Sequence, residues 1–361
     1  MKAPLTLAAL PLLALVPSSL ADQGNPNLAK IESIAFGPNG YLLIGGGAKV
    51  VIVATGDTTP VKWTQTEIPK IDELLAGKLG MEAKDIEFRK LAVNPVSNKA
   101  YVALQSLTKK TSLILVIDGA GRVSELPLDN VRYKSYALAA PKTAITKITD
   151  LAWADGKIVV ATEATDVFGS RVFTIDPTDK SGPPVQVSTK TFHVGHGKWE
   201  TKAPFRTLMP LVEGGKTSVV GSFTCTPIVR YDLEEAKDDD QITGRSVVEL
   251  GTGNTPRSMF AYERGGKNFL LVNVGRFNKK PAFDFPSAYW AARVDATLLN
   301  ETTNINENAP WRVGGKSSAG DRVAVARDYF GVQQMDRLDA NRALAIVESE
   351  VGFNLRILPL P

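Results

Sequence analysis

Apolar and polar positions along the chain repeat as a pair of extended runs separated by a turn. Six segments share this form: "IESIAFGPNGYLLIGG", "FRKLAVNPVSNKAYVAL", "ITDLAWADGKIVVATE", "FRTLMPLVEGGKTSVVGSF", "RSMFAYERGGKNFLLVNV" and "VQQMDRLDANRALAIVES". Each turn carries Gly, Pro, Asn or Asp, which supply positive φ or preset φ at a tight hairpin. Aligning Ile34, Leu91, Leu151, Leu208, Met259 and Met335 gives steps of 57, 60, 57, 51 and 76 residues. Most units continue into a third strand, as in "KVVIVATGD", "SLILVIDGAG", "SRVFTIDPT" and "PIVRYDLEE", and "RSVVELG" reads as a fourth. A four-stranded antiparallel unit returning at this length is a blade of a β-propeller, so the chain is expected to be all-β. Six blades are expected, and the last, longest step leaves room for a seventh.

One segment breaks the pattern. In "KIDELLAGKLGMEAKDIEF" (70–88), Ile71, Leu74, Leu75 and Leu79 fall on one helical face. A short helix, within about 70–85, is expected to pack on the propeller surface at the link into the second blade.

The chain opens "MKAPLTLAALPLLALVPSSLADQ". A lone Lys2, an apolar run and small residues at Ser19-Leu20-Ala21 read as a secretory signal peptide, 1–21, cleaved after Ala21. Residues 22–361 then form a single propeller domain, secreted or periplasmic. The apolar run is too short to span a bilayer comfortably and none like it follows, so no membrane span is expected. The formal net charge of +4 falls well short of a dedicated nucleic-acid binder. Cys225 is the only cysteine, which excludes an intramolecular disulfide. A secreted chain without one must be held by its core or by closure of its sheets, and a ring also protects strand edges.

Hairpins such as "AFGPNGYLLIGG" resemble those of NHL and YVTN propellers over nearly all of residues 22–361. The stretches "FHVGHGKWETKAPFRT" (192–207), "FTCTPIVRYDL" (223–233) and "MDRLDANRALAI" more closely resemble secreted bacterial propellers of unassigned function. Both resemblances imply a fold and no reaction.

Propeller geometry gives the chemistry-bearing residues an address. Loops entering a blade, and loops joining its second and third strands, share one face, here called the top. Both histidines of the chain, His193 and His196, lie in the loop entering the fourth blade, with Trp199 and Glu200 behind them. Cys225 follows that blade's second strand and should approach them. Two imidazoles and a thiolate suit Cu or Zn, with Glu200 as a further ligand or a hydrogen-bond acceptor. A cysteine beside a histidine also suits an activated nucleophile. Against this, a lone cysteine is often a small buried hydrophobe, and the spacing is not the helical HExxH of zinc proteases.

A second group is basic. Arg89, Arg206 and Arg257 occupy one aligned position, two before the marker, where the other blades carry Glu32, Thr149 and Gln333. Top loops add Lys109, Lys110, Lys198, Lys202, Arg276, Lys279 and Lys280. Positive charge focused at a concave mouth attracts anions, and arginine suits bidentate contact with carboxylate or phosphate. Aromatic residues in "GRFNKKPAFDFPSAYW" and at Phe168 add a half-apolar surface, or pack between blades. No phosphate-binding loop, dinucleotide fingerprint, calcium loop or GxSxG elbow is present.

The sequence therefore predicts a top face binding an anionic small molecule or an acidic protein partner through His193, His196, Trp199, Glu200, Arg206, Arg257 and Arg276. The alternatives are a lactonase-like, metal-assisted hydrolase or periplasmic redox protein using His193, His196 and Cys225, and a structural scaffold. Neither substrate nor reaction is specified by these residues.

Overall fold

Why the second and third strands of each unit read as unbroken apolar runs becomes clear from their burial. Leu42 to Ile44 and Val50 to Val53 are wholly buried, because each sheet is covered on both faces by a neighbouring sheet. The computed structural model describes residues 20–178, 182–234, 236–313 and 316–361. Six sheets make up its bulk, antiparallel except where Asp240–Thr243 pairs in parallel with Val185–His193. Their innermost strands are Ser33–Phe36, Ile86–Val93, Ile145–Ala154, Phe205–Glu213, Asn254–Arg264 and Val332–Arg337. Every aligned marker residue lies in one of them, so the hairpin reading holds in all six blades. Among the described residues there is no seventh: those between 277 and 331 form a long loop, the outer strands of blade five, a two-stranded pair and short helical turns.

Closure is visible in the core. Six apolar clusters are found among the described residues, and each joins two different blades. Numbering blades by sequence, the clusters join one to two, one to three, three to four, four to five, five to six, and six to two. The ring therefore runs two, one, three, four, five, six, and the first two blades are exchanged relative to chain order. The outer strands show how. Val131–Ala137, which follows blade two, returns to pair with Lys49–Ala54 of blade one. Glu67–Ile68, which precedes blade two, pairs with Gly352–Pro359 and completes blade six. Blade two is thus inserted between the third and fourth strands of blade one. The repeat spacing carries no trace of this exchange, since each hairpin looks the same in either ring order.

The helix expected near 70–85 is Ile71–Lys78. Ile71, Leu75 and Ala76 are buried in the cluster between blades two and six. Leu74, placed on the packing face by its spacing, is instead exposed. The helix is held at its start by Asp72, which accepts the Phe353 N–H at 3.1 Å. No helix of the described residues is long and apolar enough to cross a membrane. The expected signal peptide, 1–21, falls almost wholly outside the described residues. Asp22–Gly24, just beyond its expected cleavage point, pairs with Val131–Ala137 as the outermost strand of blade one.

Candidate functional site at the channel mouth

In five of the six innermost strands the ladder slips by one residue at the same place. The extra residues are Arg89, Thr149, Arg206, Arg257 and Gln333, the position two before each marker. A bulge leaves its residue unpaired and re-aims the side chain. Here it lets two successive positions take part in the channel where a regular strand would offer one. The result is a cavity of about 170 Å³ at the channel mouth, with all six blades in its wall. Its lining includes Glu32, Arg89, Thr149, Arg206 and Arg257, which share the aligned position, together with Lys147, which does not.

The charges at the mouth are unevenly matched. Glu32 is fully engaged, with Lys30 Nζ at 2.6 Å and the N–H groups of Gly47 and Ile148 each at 2.9 Å. Arg89 pairs with Glu87 at 3.1 Å. Among the described residues, Lys147, Arg206 and Arg257 have no carboxylate within 4.0 Å. Arg206 donates from Nε to Thr224 Oγ1 at 3.2 Å, and Arg257 lies over the Tyr289 ring at 5.0 Å. Burial holds the Lys147 ammonium below its ordinary range, and the facing Arg206 lowers it further. Thr149 Oγ1, Arg257 Nε and Gln333 Oε1 are buried without a hydrogen-bond partner among the described residues. Buried polar atoms are nearly always satisfied, so such a group marks a place where water or a ligand belongs.

Beneath this tier, one position nearer the marker, lie Ser33, Lys90, Asp150, Thr207, Ser258 and Gln334. Asp150 is the hub. It accepts from Lys90 Nζ at 2.7 Å, Ser33 Oγ at 3.0 Å, Thr207 Oγ1 at 2.7 Å and the Leu208 N–H at 3.1 Å. Four blades meet on that one carboxylate. Deeper still, Asp336 accepts the Val93 and Arg337 N–H groups, and burial pushes its carboxyl up to about 6. Two larger cavities, each about 510 Å³, lie at the outer edge of blade four. Their central cations are already neutralised, Arg230 by Glu213 and Asp232, and Arg245 by Asp232.

The histidine loop sits on the same face, farther from the axis. His193 ends the fourth strand of blade three and His196 closes a single 3₁₀ turn. Their Nδ1 atoms are 2.7 Å apart, so one donates to the other. His193 Nε2 lies 3.6 Å from Glu249 Oε2, too long for a hydrogen bond. Glu249 Oε1 is buried without a hydrogen-bond partner among the described residues, and the carboxyl, raised by burial above its ordinary range, sits against the Val194–Gly195 backbone. Gly195 is required for this, because a Cβ there would stand 2.5 Å from Glu249 Oε2. The turn 224–226 links this pocket to the mouth. Thr224 holds Arg206, and the backbone of Cys225 lies beside the His193 ring. Cys225 and Thr226 both adopt left-handed φ, 65° and 61°, a strained geometry for a β-branched residue. Thr226 Oγ1 donates to the Gly251 carbonyl at 2.7 Å and the Cys225 N–H to Asn254, which hold the turn.

Burial lowers His193 to about 4, and the neighbouring His196 adds to the effect. An imidazole depressed in the folded state is protonated first in the unfolded chain. Its contribution to stability is therefore complete above about pH 6.5 and lost as pH falls towards about 4, at about 1.4 kcal/mol per pH unit. His193→Gln is expected to flatten that slope in urea titrations between these pH values. A variant with the slope of the parent would contradict the assignment.

Other expected residues fall apart from this cluster. Trp199 packs edge-on against Phe192 and beneath Lys190, whose Nζ is 4.1 Å from its ring. Glu200 accepts the N–H groups of Lys202 and Ala203 and so shapes its own turn. Arg276 donates to the Pro281 carbonyl and braces the loop of blade five. The His193 imidazole approaches the backbone of Cys225, and among the described residues no group of three His, Cys, Asp or Glu side chains is placed to hold a metal ion.

No family model matches the chain and no curated protein matches it. Among solved structures it is similar to Drosophila plexin A in complex with semaphorin 1b, with 9% identity over 96% of this chain and 88% of that chain, TM-score 0.40. It is also similar to Drosophila semaphorin 1b, with 9% identity over 96% and 87%, TM-score 0.39. Trypanosoma rangeli sialidase with 2,3-difluorosialic acid gives 10% identity over 91% of this chain and 53% of that chain, TM-score 0.38. No NHL or YVTN family is shown by these comparisons.

Sequence reasoning passed over Lys90, Lys147, Asp150, Glu249 and Asp336. The same alignment contains the signal for two of them, since the position before the marker reads Ser, Lys, Asp, Thr, Ser, Gln. Six polar residues at one strand position of an otherwise apolar repeat mark a polar channel.

Proposed function

We propose that this protein is a secreted or periplasmic propeller that binds an anionic group, a carboxylate or phosphate, at its channel mouth. The observation that carries this reading is the set of three cations, Lys147, Arg206 and Arg257, held around one cavity with no carboxylate in contact, Glu163 and Glu32 acting on the first two only from farther away. Leaving them so costs stability, because a cation moved out of water without a counter-ion is penalised by burial. A bound anion would remove that cost. The cavity has room for one such group, either a small molecule or the acidic side chain of a partner protein. Thr149 Oγ1, buried without a partner among the described residues in the same wall, would read a hydrogen-bonding group beside the charge. The histidine pocket positions Arg206 through the 224–226 turn in this scheme, and a metal or a covalent step is not needed for it.

Calorimetric titration with citrate and with inorganic phosphate tests the proposal. Saturable binding is expected to weaken as salt rises, and Lys147→Met is expected to weaken it about tenfold, the equivalent of one charge-assisted contact. Absence of saturable binding to both anions, together with no rise in melting temperature in their presence, would defeat it.

A further inference from the structure

Exposed hydrophobic side chains are not spread evenly over the molecule. Leu107, Phe277, Phe283 and Val351 are 49%, 50%, 39% and 65% exposed, and all lie in loops joining second to third strands. Those loops belong to the face of the channel mouth, because the second strands end opposite the starts of the innermost ones, as in the pairs Ile86 with Ser106 and Asn254 with Arg276. Val167, 68% exposed, follows the same rule in blade three. On the opposite face the hairpin turns are polar, and Val185, at the start of an outer strand, is the exception. Single exposed apolar residues are ordinary on any protein. Their collection on the loop tips of one face is not.

Ring order sharpens the pattern. Blades two, six and five are consecutive around the ring, so Leu107, Val351, Phe277 and Phe283 form one arc. Segments 107–111, 276–288 and 350–351 contain Lys109, Lys110, Arg276, Lys279 and Lys280, against Asp284 and Glu350 as their acids. The loop of blade five is braced by Arg276, which donates to the Pro281 carbonyl, and by Phe283 packed edge-on against Trp290 at 5.1 Å.

We infer that this arc docks on an anionic lipid bilayer, with Leu107, Phe277 and Val351 entering the interface and the lysines meeting phosphate headgroups. A protein interface is built around a contiguous, densely packed apolar centre. Here separate single side chains project from separate loops, each of the two longer loops carrying its own pair of lysines. A fluid surface accepts such wedges independently, and aromatic and basic residues are suited to its interfacial zone. The inference uses no side chain of the channel mouth, so it stands or falls separately from anion binding there.

Co-sedimentation of the full chain with phosphatidylcholine vesicles, with and without phosphatidylglycerol, tests it. Wild-type protein is expected to sediment with the anionic vesicles and far less with the neutral ones. Lys109→Gln with Lys110→Gln should weaken binding about fivefold per lysine at low salt. Leu107→Ser, Phe277→Ser and Val351→Ser combined should weaken it more than tenfold, roughly, at low and high salt alike. All three are surface positions, and an unchanged melting temperature would show that the fold is intact. Failure of the wild type to sediment with anionic vesicles would overturn the inference in favour of a protein partner. Full binding by the triple serine variant would overturn it too, as adsorption by charge alone.

Discussion

Asp150→Ala is expected to destabilise the protein by about 3–5 kcal/mol, the range for removing one partner of a buried ion pair. The carboxylate is 3% exposed and joins Lys90 of blade two, Ser33 of blade one, and Thr207 with Leu208 of blade four to its own blade three. Alanine would leave the Lys90 ammonium, itself 14% exposed, without its counter-ion, and the Leu208 N–H without an acceptor. The loss should fall mainly on the variant with a stranded charge. Lys90→Met combined with Asp150→Ala is therefore expected to cost less than the sum of the two single changes, since the paired residues are coupled. Urea denaturation of the two single variants and the double variant measures this. Strict additivity would mean that the lysine and the aspartate do not depend on each other.

Reversing the mouth should have the largest effect on binding. Arg206→Glu with Arg257→Glu replaces two of the three cations that lack carboxylate partners with anions facing Lys147. Loss of a buried charge contact commonly costs 2–5 kcal/mol, so citrate or phosphate affinity is expected to fall by at least about thirtyfold for each arginine. The fold should survive, because the bonds lost are one to Thr224 and the cation–π contact with Tyr289, worth about 1 kcal/mol. The readout is the anion titration, with the melting temperature in plain buffer as the control. Unaltered affinity in the doubly reversed protein would place any anion elsewhere on the molecule.

Strand pattern was legible because it depends on local chemistry. Glycine and asparagine turns, followed by runs of Val and Ile, specify a hairpin wherever they occur, and the markers duly fell on all six innermost strands. Arg89, Arg206 and Arg257 could be grouped because repeats turn a sequence offset into a place on the ring. What could not be read was the partner of each outer strand. Glu67–Ile68 is a pair of residues whose position is fixed by Leu355 and Arg356, nearly 300 positions away. Glu249 escaped notice for a similar reason, as its role at Gly195 depends on two blades meeting edge to edge. The bulges also left no mark in composition, yet they decide that both Arg206 and Thr207 take part in the channel.

The exchanged ring has a bearing on how the chain can reach its final form as it leaves the ribosome. The first sheet lacks its fourth member until residue 137 has been made, and the flank of blade two stays bare until the last residues arrive. An emerging chain must therefore hold several apolar surfaces in waiting, the situation that slows folding and invites association. Clipping away residues 332–361 would strip Glu67–Ile68 and the helix beside it of support at the same stroke. Loss of structure from either end should accordingly spread to the other.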